Sequence, residues 1–342
     1  MKVIEKKVDS VSFITIDNEN GLILVLSSFA ASIFDIELID KRNNYESIVL
    51  TPSSLNDFYN NDGYYGKTIG RYSGRIDNGK CKINDNEYSL DINWNNINSL
   101  HGGFDSIAFK NFNYVINNND EYVDVIFSYL EKENTLPGDV NYDIIYRIYS
   151  KTNCFTIFFN AISNKDTLIN LTNHTYFNLS GNGKNTILDH SLQLNCDKYS
   201  KLNNNLITTS IEKVNKVMSF LKPHKIKKYI NDSSLQDHTA KGYDHCYIKE
   251  NKNSDVIAIL KDRKSKRSLT ITTSYPAIVV YTTNYPASFD FSTNHYKISK
   301  HHGICLECQY IPNGINMENV DKAIFKANDK YTHYISYHFT NK

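Results

Sequence analysis

The run Leu171-Thr172-Asn173-His174-Thr175-Tyr176-Phe177-Asn178-Leu179-Ser180-Gly181 is polar, aromatic and strand-like, with an abrupt Ser-Gly end. Side chains on a strand alternate between faces, so His174, Tyr176 and Asn178 are expected to share one face. Asn173, Thr175, Phe177 and Leu179 then point the other way, with Phe177 and Leu179 available to a core. A titratable imidazole beside a phenol and an amide suits a ligand-facing surface. A structural histidine satisfied by its neighbours is the competing reading, and this window alone leaves both open.

Outward from this run, the chain reads as a series of short strands. Alternating runs at 11–16, 22–26 and 31–38 are separated by polar breaks, and Asn20-Gly21 is a hairpin turn signal. Further strand-like runs cover 122–129, 141–149, 154–162, 191–194, 256–260, 268–273, 277–282 and 304–311. Helical periodicity is scarce, and 210–221 is the best short candidate. There is no Pro/Ser-rich linker, charge block or fixed-period repeat. The expectation is one mostly β domain over 1–342, a large antiparallel β-sandwich with few short helices.

The 38 basic and 37 acidic residues leave a net charge of +1, which gives no field to draw nucleic acid or an anionic membrane. The segment 261–267 carries both signs and reads as a solvated turn. The apolar stretch 21–34 is too short and serine-interrupted to span a bilayer, and the first twenty residues do not read as a signal peptide. The expected address is cytoplasmic, with the six cysteines reduced. The 25 tyrosines suit strands and also surfaces that hydrogen-bond to sugars.

Chemistry-bearing residues cluster in other Gly-punctuated stretches. Gly70-Arg71-Tyr72-Ser73-Gly74-Arg75-Ile76 lacks the spacing and Lys-Ser/Thr of a phosphate loop, so its glycines are read as positioning Arg71 and Arg75. Asn98-Ser99-Leu100-His101-Gly102-Gly103, Gly242-Tyr243-Asp244-His245 and the segment 307–316 are similar in character. Arg75, His101, Asp244, Glu307 and Gln309 are groups that bind hydroxyls, and a polyhydroxylated ligand needs several of them on one concave face. As a strand, 304–310 puts Cys305, Glu307 and Gln309 on one face and Leu306, Cys308 and Tyr310 on the other. The formal Cys-x-x-Cys at 305–308 therefore splits its sulfurs, which argues against a metal or redox pair.

Asn173 to Gly181 resembles the aldose 1-epimerase (galactose mutarotase) family almost letter for letter. Gly70-Arg71-x-x-Gly74-Arg75-Ile76, Asn98-x-Leu100-His101-Gly102-Gly103, Pro137-Gly138-Asp139, Tyr243-Asp244-His245 and Glu307-x-Gln309-x-x-Pro312-x-x-x-Asn316 resemble it too, in the family's order. The resemblance covers roughly 17–331. It implies a supersandwich with a sugar cleft on its concave face and no cofactor. It gives His174 the role of general acid and Glu307 that of general base, and makes Arg75, His101 and Asp244 sugar-hydroxyl binders; Gln309 joins them as a substrate-binding group. The expected partner is a small sugar, with no nucleic acid and no membrane, on a monomer or homodimer.

Mutarotation needs a base for the anomeric O1 hydroxyl and an acid for the ring oxygen O5; ring closure reverses both transfers. A carboxylate of ordinary pKa about 4.3 is a ready base, and an imidazole near about 6.5 can serve as acid if a neighbouring charge raises it. Asp244 or Glu307 could supply that charge. Three positions depart from the family pattern: Gly74 where many members have asparagine, Val279 where glutamine is frequent, and Asn313 after Pro312 where aspartate is usual. A glycoside hydrolase would use two carboxylates, for which Asp244 and Glu307 are candidates, but it leaves His174 without a task. A non-catalytic sugar-binding protein on the same scaffold is the alternative, and its signature would be loss of His174 or Glu307.

Overall fold

The computed structural model describes residues 1–249, 254–291 and 296–341. Its larger sheet contains, in spatial order, Asn113–Asn118, Tyr122–Glu131, Val140–Tyr149, Cys154–Ser163, Lys330–Thr340, Ser268–Thr273, Val256–Lys261, Ser191–Leu194 and His224–Lys225. A second sheet runs Tyr176–Phe177, Ile304–Gln309, Ala277–Tyr281, Asp244–Ile248, Lys198–Leu202 and Thr208–Lys213. Neighbours in both sheets pair antiparallel. A separate five-stranded meander covers the N-terminal segment from Lys2–Val8 to Tyr45–Ser47.

Alternation explains how the two sheets pack. Ile144, Tyr146, Ile157, Ile271, Ile335 and Tyr337 of the larger sheet join Ile278, Val280, Ile304, Leu306 and Cys308 of the second in one apolar core. Phe177 meets Tyr337 across this layer, with ring centroids 5.5 Å apart. Burial of such surface contributes about 25 cal/mol per Å² and is the main force holding the layers together. The other face of the second sheet carries Cys246, Val279, Cys305, Glu307 and Gln309. A strand buried on both sides therefore presents apolar groups to the core and polar ones to a cleft.

The expected β-sandwich architecture with few helices is what the chain forms. The α-helices among the described residues are Leu55–Asn60, capped by Ser54, and Ser233–Gln236, capped by Asp232. The helix expected at 210–221 is not formed. Thr208–Lys213 is instead the outer strand of a hairpin, with Ile211 opposite Ser200 and Glu212 opposite Tyr199. Its apolar spacing serves one face of that strand and the turn after it. Asn20-Gly21 does close a hairpin: Asn18 Oδ1 accepts from the Asn20 and Leu22 amides, and Gly21 takes φ +106°.

The segment 261–267 is not simply a solvated turn. Arg267 is fully buried, donating to Glu46 Oε2 at 2.8 Å and to the Leu38 and Leu179 carbonyls. The six cysteines are unpaired. No helix among the described residues is long and apolar enough to cross a membrane.

Candidate active site

The 171–181 run is not one continuous strand. Thr172–Asn173 pairs with Thr68–Ile69, whereas Tyr176–Phe177 pairs with Ile304 and Cys305 of the second sheet. His174 sits at the changeover, its amide donating to the Lys67 carbonyl and its carbonyl accepting from the Gly66 amide. This crossing aims the imidazole into a cleft of about 690 Å³ above the second sheet. Tyr176 lines the same cleft, but Asn178 does not share that face. The Asn178 amide is drawn away to the Asn185 and His302 carbonyls, at 2.7 and 2.6 Å.

All six site residues expected from the sequence line this cleft: Arg75, His101, His174, Asp244, Glu307 and Gln309. His174 Nε2 lies 3.6 Å from Glu307 Oε1, and both side chains are buried. The His101 and His174 rings meet edge to face, 5.3 Å apart. Arg75 Nη2 donates to Asp244 Oδ2 at 3.3 Å, while the guanidinium carbon lies 4.5 Å from the centroid of the Trp94 ring. Arg75 Nε and Gln309 Oε1 are buried with no hydrogen-bond partner. Such unsatisfied groups at a cleft wall are what a ligand rich in hydroxyls would complete.

The glycine-punctuated loop is held from behind. Arg71 is buried and donates to Glu131 Oε2 at 3.0 Å and to the Pro137 carbonyl at 2.9 Å. Tyr142 donates to the same Glu131 oxygen at 2.5 Å. Arg71 thus anchors the loop while Arg75 faces the cleft. Gly74, at φ +83°, also passes so close to Pro312 that an added Cβ would lie 2.7 Å from the proline ring.

The departures at 279 and 313 differ in kind. Val279 lines the cleft opposite Glu307 in the strand ladder and makes that part of the floor apolar. Asn313 is buried structure: its Oδ1 accepts from the Asp77 amide and its Nδ2 donates to the Thr208 carbonyl. A carboxylate there could not make the second bond.

Burial shapes the electrostatics. It holds His174 down at about 4, outweighing the Asp244 charge that pulls the other way. The expectation that a neighbouring carboxylate raises this imidazole is therefore corrected: desolvation of the charged ring wins. Burial likewise pushes Glu307 well above the ordinary carboxylate range, reinforced by Asp244 and opposed by Arg75. His101 is lowered well below its usual value by burial, with His174 and Arg75 adding to the effect. These directions favour a neutral Glu307 carboxyl beside a neutral His174 imidazole, with one exchangeable proton between the two groups.

Donor atoms of His101, His174 and Glu307 lie within 4.8 Å of one another, close enough to embrace an ion. The hydrogen bonding does not suit that use. The Gly74 amide donates to His101 Nδ1 at 3.2 Å, so a neutral His101 carries its proton on Nε2 and presents a donor.

Several cleft residues were not singled out in the sequence. Tyr64 holds φ +54° and packs against His101 and His174. Trp94, Tyr281, Tyr285 and Phe289 also line the cleft. Trp94 is the one tryptophan of the chain, four residues before Asn98, and that rarity was the available signal.

The aldose 1-epimerase family model matches residues 12–338. The chain belongs to the aldose 1-epimerase family. It is 30% identical to an aldose 1-epimerase of Streptococcus thermophilus over 348 residues, covering 98% of this chain and 97% of that protein. To the galactose mutarotase of Mus musculus it is 28% identical over 311 residues, covering 90% and 87%. The fold matches that of an aldose epimerase homologue from C. elegans with a TM-score of 0.87 at 24% identity, covering 97% of this chain and 99% of that one. A galactose 1-epimerase from Lactobacillus acidophilus NCFM gives a TM-score of 0.85 at 23% identity, covering 99% and 98%. As a member of this family the chain is an isomerase that interconverts sugar anomers.

Proposed function

We propose that the cleft opens and recloses the pyranose ring of free hexoses, galactose and glucose, with Glu307 as base and His174 as acid. The observation that carries this reading is the 3.6 Å approach of His174 Nε2 to Glu307 Oε1 inside the cleft. O1 and O5 share the anomeric carbon, so a base for one and an acid for the other must stand side by side.

The pair works with one proton. In its productive form Glu307 is a carboxylate and His174 an imidazolium. Glu307 takes the O1 proton as His174 Nε2–H goes to O5, the C1–O5 bond breaks, and an open aldehyde with an O5 hydroxyl results. Rotation about C1–C2 presents the other face of the aldehyde. O5 then attacks, His174 recovers its proton, and Glu307 returns one to O1. The opening step turns a buried ion pair into a neutral pair, so the desolvation that raises Glu307 and lowers His174 favours ring opening.

Arg75 and Asp244 offer a forked cation and a carboxylate to vicinal hydroxyls, and His101 Nε2–H and Gln309 offer further contacts. Polarimetry of freshly dissolved α-D-galactose and α-D-glucose tests the proposal. Faster relaxation with the native protein, abolished in Glu307→Gln and in His174→Asn, is expected. No acceleration by folded native protein would leave sugar binding without catalysis.

A further inference from the structure

The His174 ring has a second nitrogen, and its surroundings are unusual. Nδ1 faces Cys305 Sγ at 3.6 Å, and both residues are buried. The contact is built by the same ladder that builds the site: Tyr176 pairs with Cys305, so Cys305 stands one strand away from the histidine run and two residues before the base. We propose that Cys305 is a positioning residue, whose sulfur accepts the Nδ1–H of His174 and turns Nε2 toward the sugar. This rests on the acid role of His174 given above.

A thiol sulfur is a weak, neutral acceptor, unlike the carboxylate or carbonyl that often holds a working histidine. A weak acceptor orients the ring without stabilising the imidazolium. O5 is an ether oxygen and a poor base, so an acid of low pKa serves it well. The thiol stays neutral because burial, with the nearby Glu307, pushes it well above its ordinary value. The other titratable or charged groups facing the ring are Glu307 at 3.6 Å, His101 across the edge-to-face contact, the Tyr64 and Tyr176 rings, and the Asp244 and Arg75 charges. The ring also hydrogen-bonds the carbonyl of His174 itself, which raises its pKa against the larger effect of burial. With Nδ1–H held on sulfur, Nε2 alone gives the proton to O5 and takes it back.

Cys305→Ala and Cys305→Ser separate this role from packing. Cys305→Ala is expected to lower kcat by about tenfold while KM stays within about twofold, the pattern of a lost aim rather than lost sugar contacts. Cys305→Ser keeps a neutral acceptor and is expected to recover part of kcat. Heteronuclear NMR of the imidazole nitrogens is expected to show neutral native His174 protonated on Nδ1, and that preference weakened in Cys305→Ala. A native ring protonated on Nε2, or a Cys305→Ala enzyme with unchanged kcat, would overturn the inference. If the native protein accelerates mutarotation and His174→Asn abolishes it, such a result falls on Cys305 alone. If His174→Asn keeps full activity, the acid assignment itself fails.

Discussion

Arg75 meets Asp244 in the lining of the cleft, Nη2 to Oδ2 at 3.3 Å, and neither side chain is wholly removed from solvent. The two come from different elements, the glycine-punctuated loop and the second sheet, so a sugar that engages both ties the loop to the sheet.

Replacing Arg75 by lysine keeps the charge but removes the fork and the platform on Trp94. Each charged hydrogen bond lost contributes about 1.5–3 kcal/mol, so KM is expected to rise by about tenfold or more. Initial rates across a range of galactose concentrations check this. A change confined to kcat would place Arg75 in the chemistry instead.

The pH profile follows from the shared proton. Below about pH 4 His174 gains a proton while Glu307 remains a neutral acid, so no base is left. As pH rises past the raised Glu307 value, the pair loses its single proton and His174 has none to give O5. A bell is expected, with its acid limb near pH 4 and its alkaline limb well above the ordinary carboxylate range. Polarimetric kcat/KM across pH measures it. A profile that climbs to a plateau and stays there until unfolding would contradict the shared proton.

Arg71→Ala leaves Glu131 buried opposite an empty space. Breaking one half of a buried ion pair costs about 3–5 kcal/mol, and urea or thermal unfolding should show a loss of that order. Activity should fall as well, because the loop carrying Arg75 loses its tie to the Pro137 carbonyl. Unchanged stability would mean that Glu131 finds another donor.

Lys67 is fully buried, with Nζ 3.1 Å from the Tyr59 carbonyl and 4.5 Å from the Phe109 ring centroid. Burial drives its pKa from 10.5 down to about 7. Between those values the unfolded chain binds the extra proton and the native one does not. Stability from this group therefore rises with pH through that window, by up to about 1.4 kcal/mol per unit, and is lowest below it. Urea unfolding of native protein and Lys67→Met at pH 7 and pH 9 tests the sign. The difference between them should change with pH, the variant being relatively more stable at the lower value.

The site was legible in the sequence because its residues carry their chemistry in side-chain type and strand phase. Alternation placed Glu307 and Gln309 opposite Leu306 and Cys308, and the structure keeps that division between cleft and core. The same rule failed at Asn178, where the chain had left one ladder for another and carbonyls outside the run captured the amide. Helical periodicity misled at 210–221, since a short apolar spacing fits a strand and its turn as well as a helix. Arg267 and the direction of the His174 shift depended on burial by segments distant in sequence, which no local pattern carries. Tyr64 was hidden for the same reason: its place follows from a positive φ set by the surrounding turn.

The pairing of Tyr176 with Cys305 also limits how such a protein can vary in length. Side chains switch faces at every residue of a strand. One residue inserted between Cys305 and Glu307 would send the carboxylate into the apolar layer and bring a core group to the sugar. Substitutions can accumulate along these strands while the acid and base still meet, but insertions and deletions must be carried by the loops around the rim.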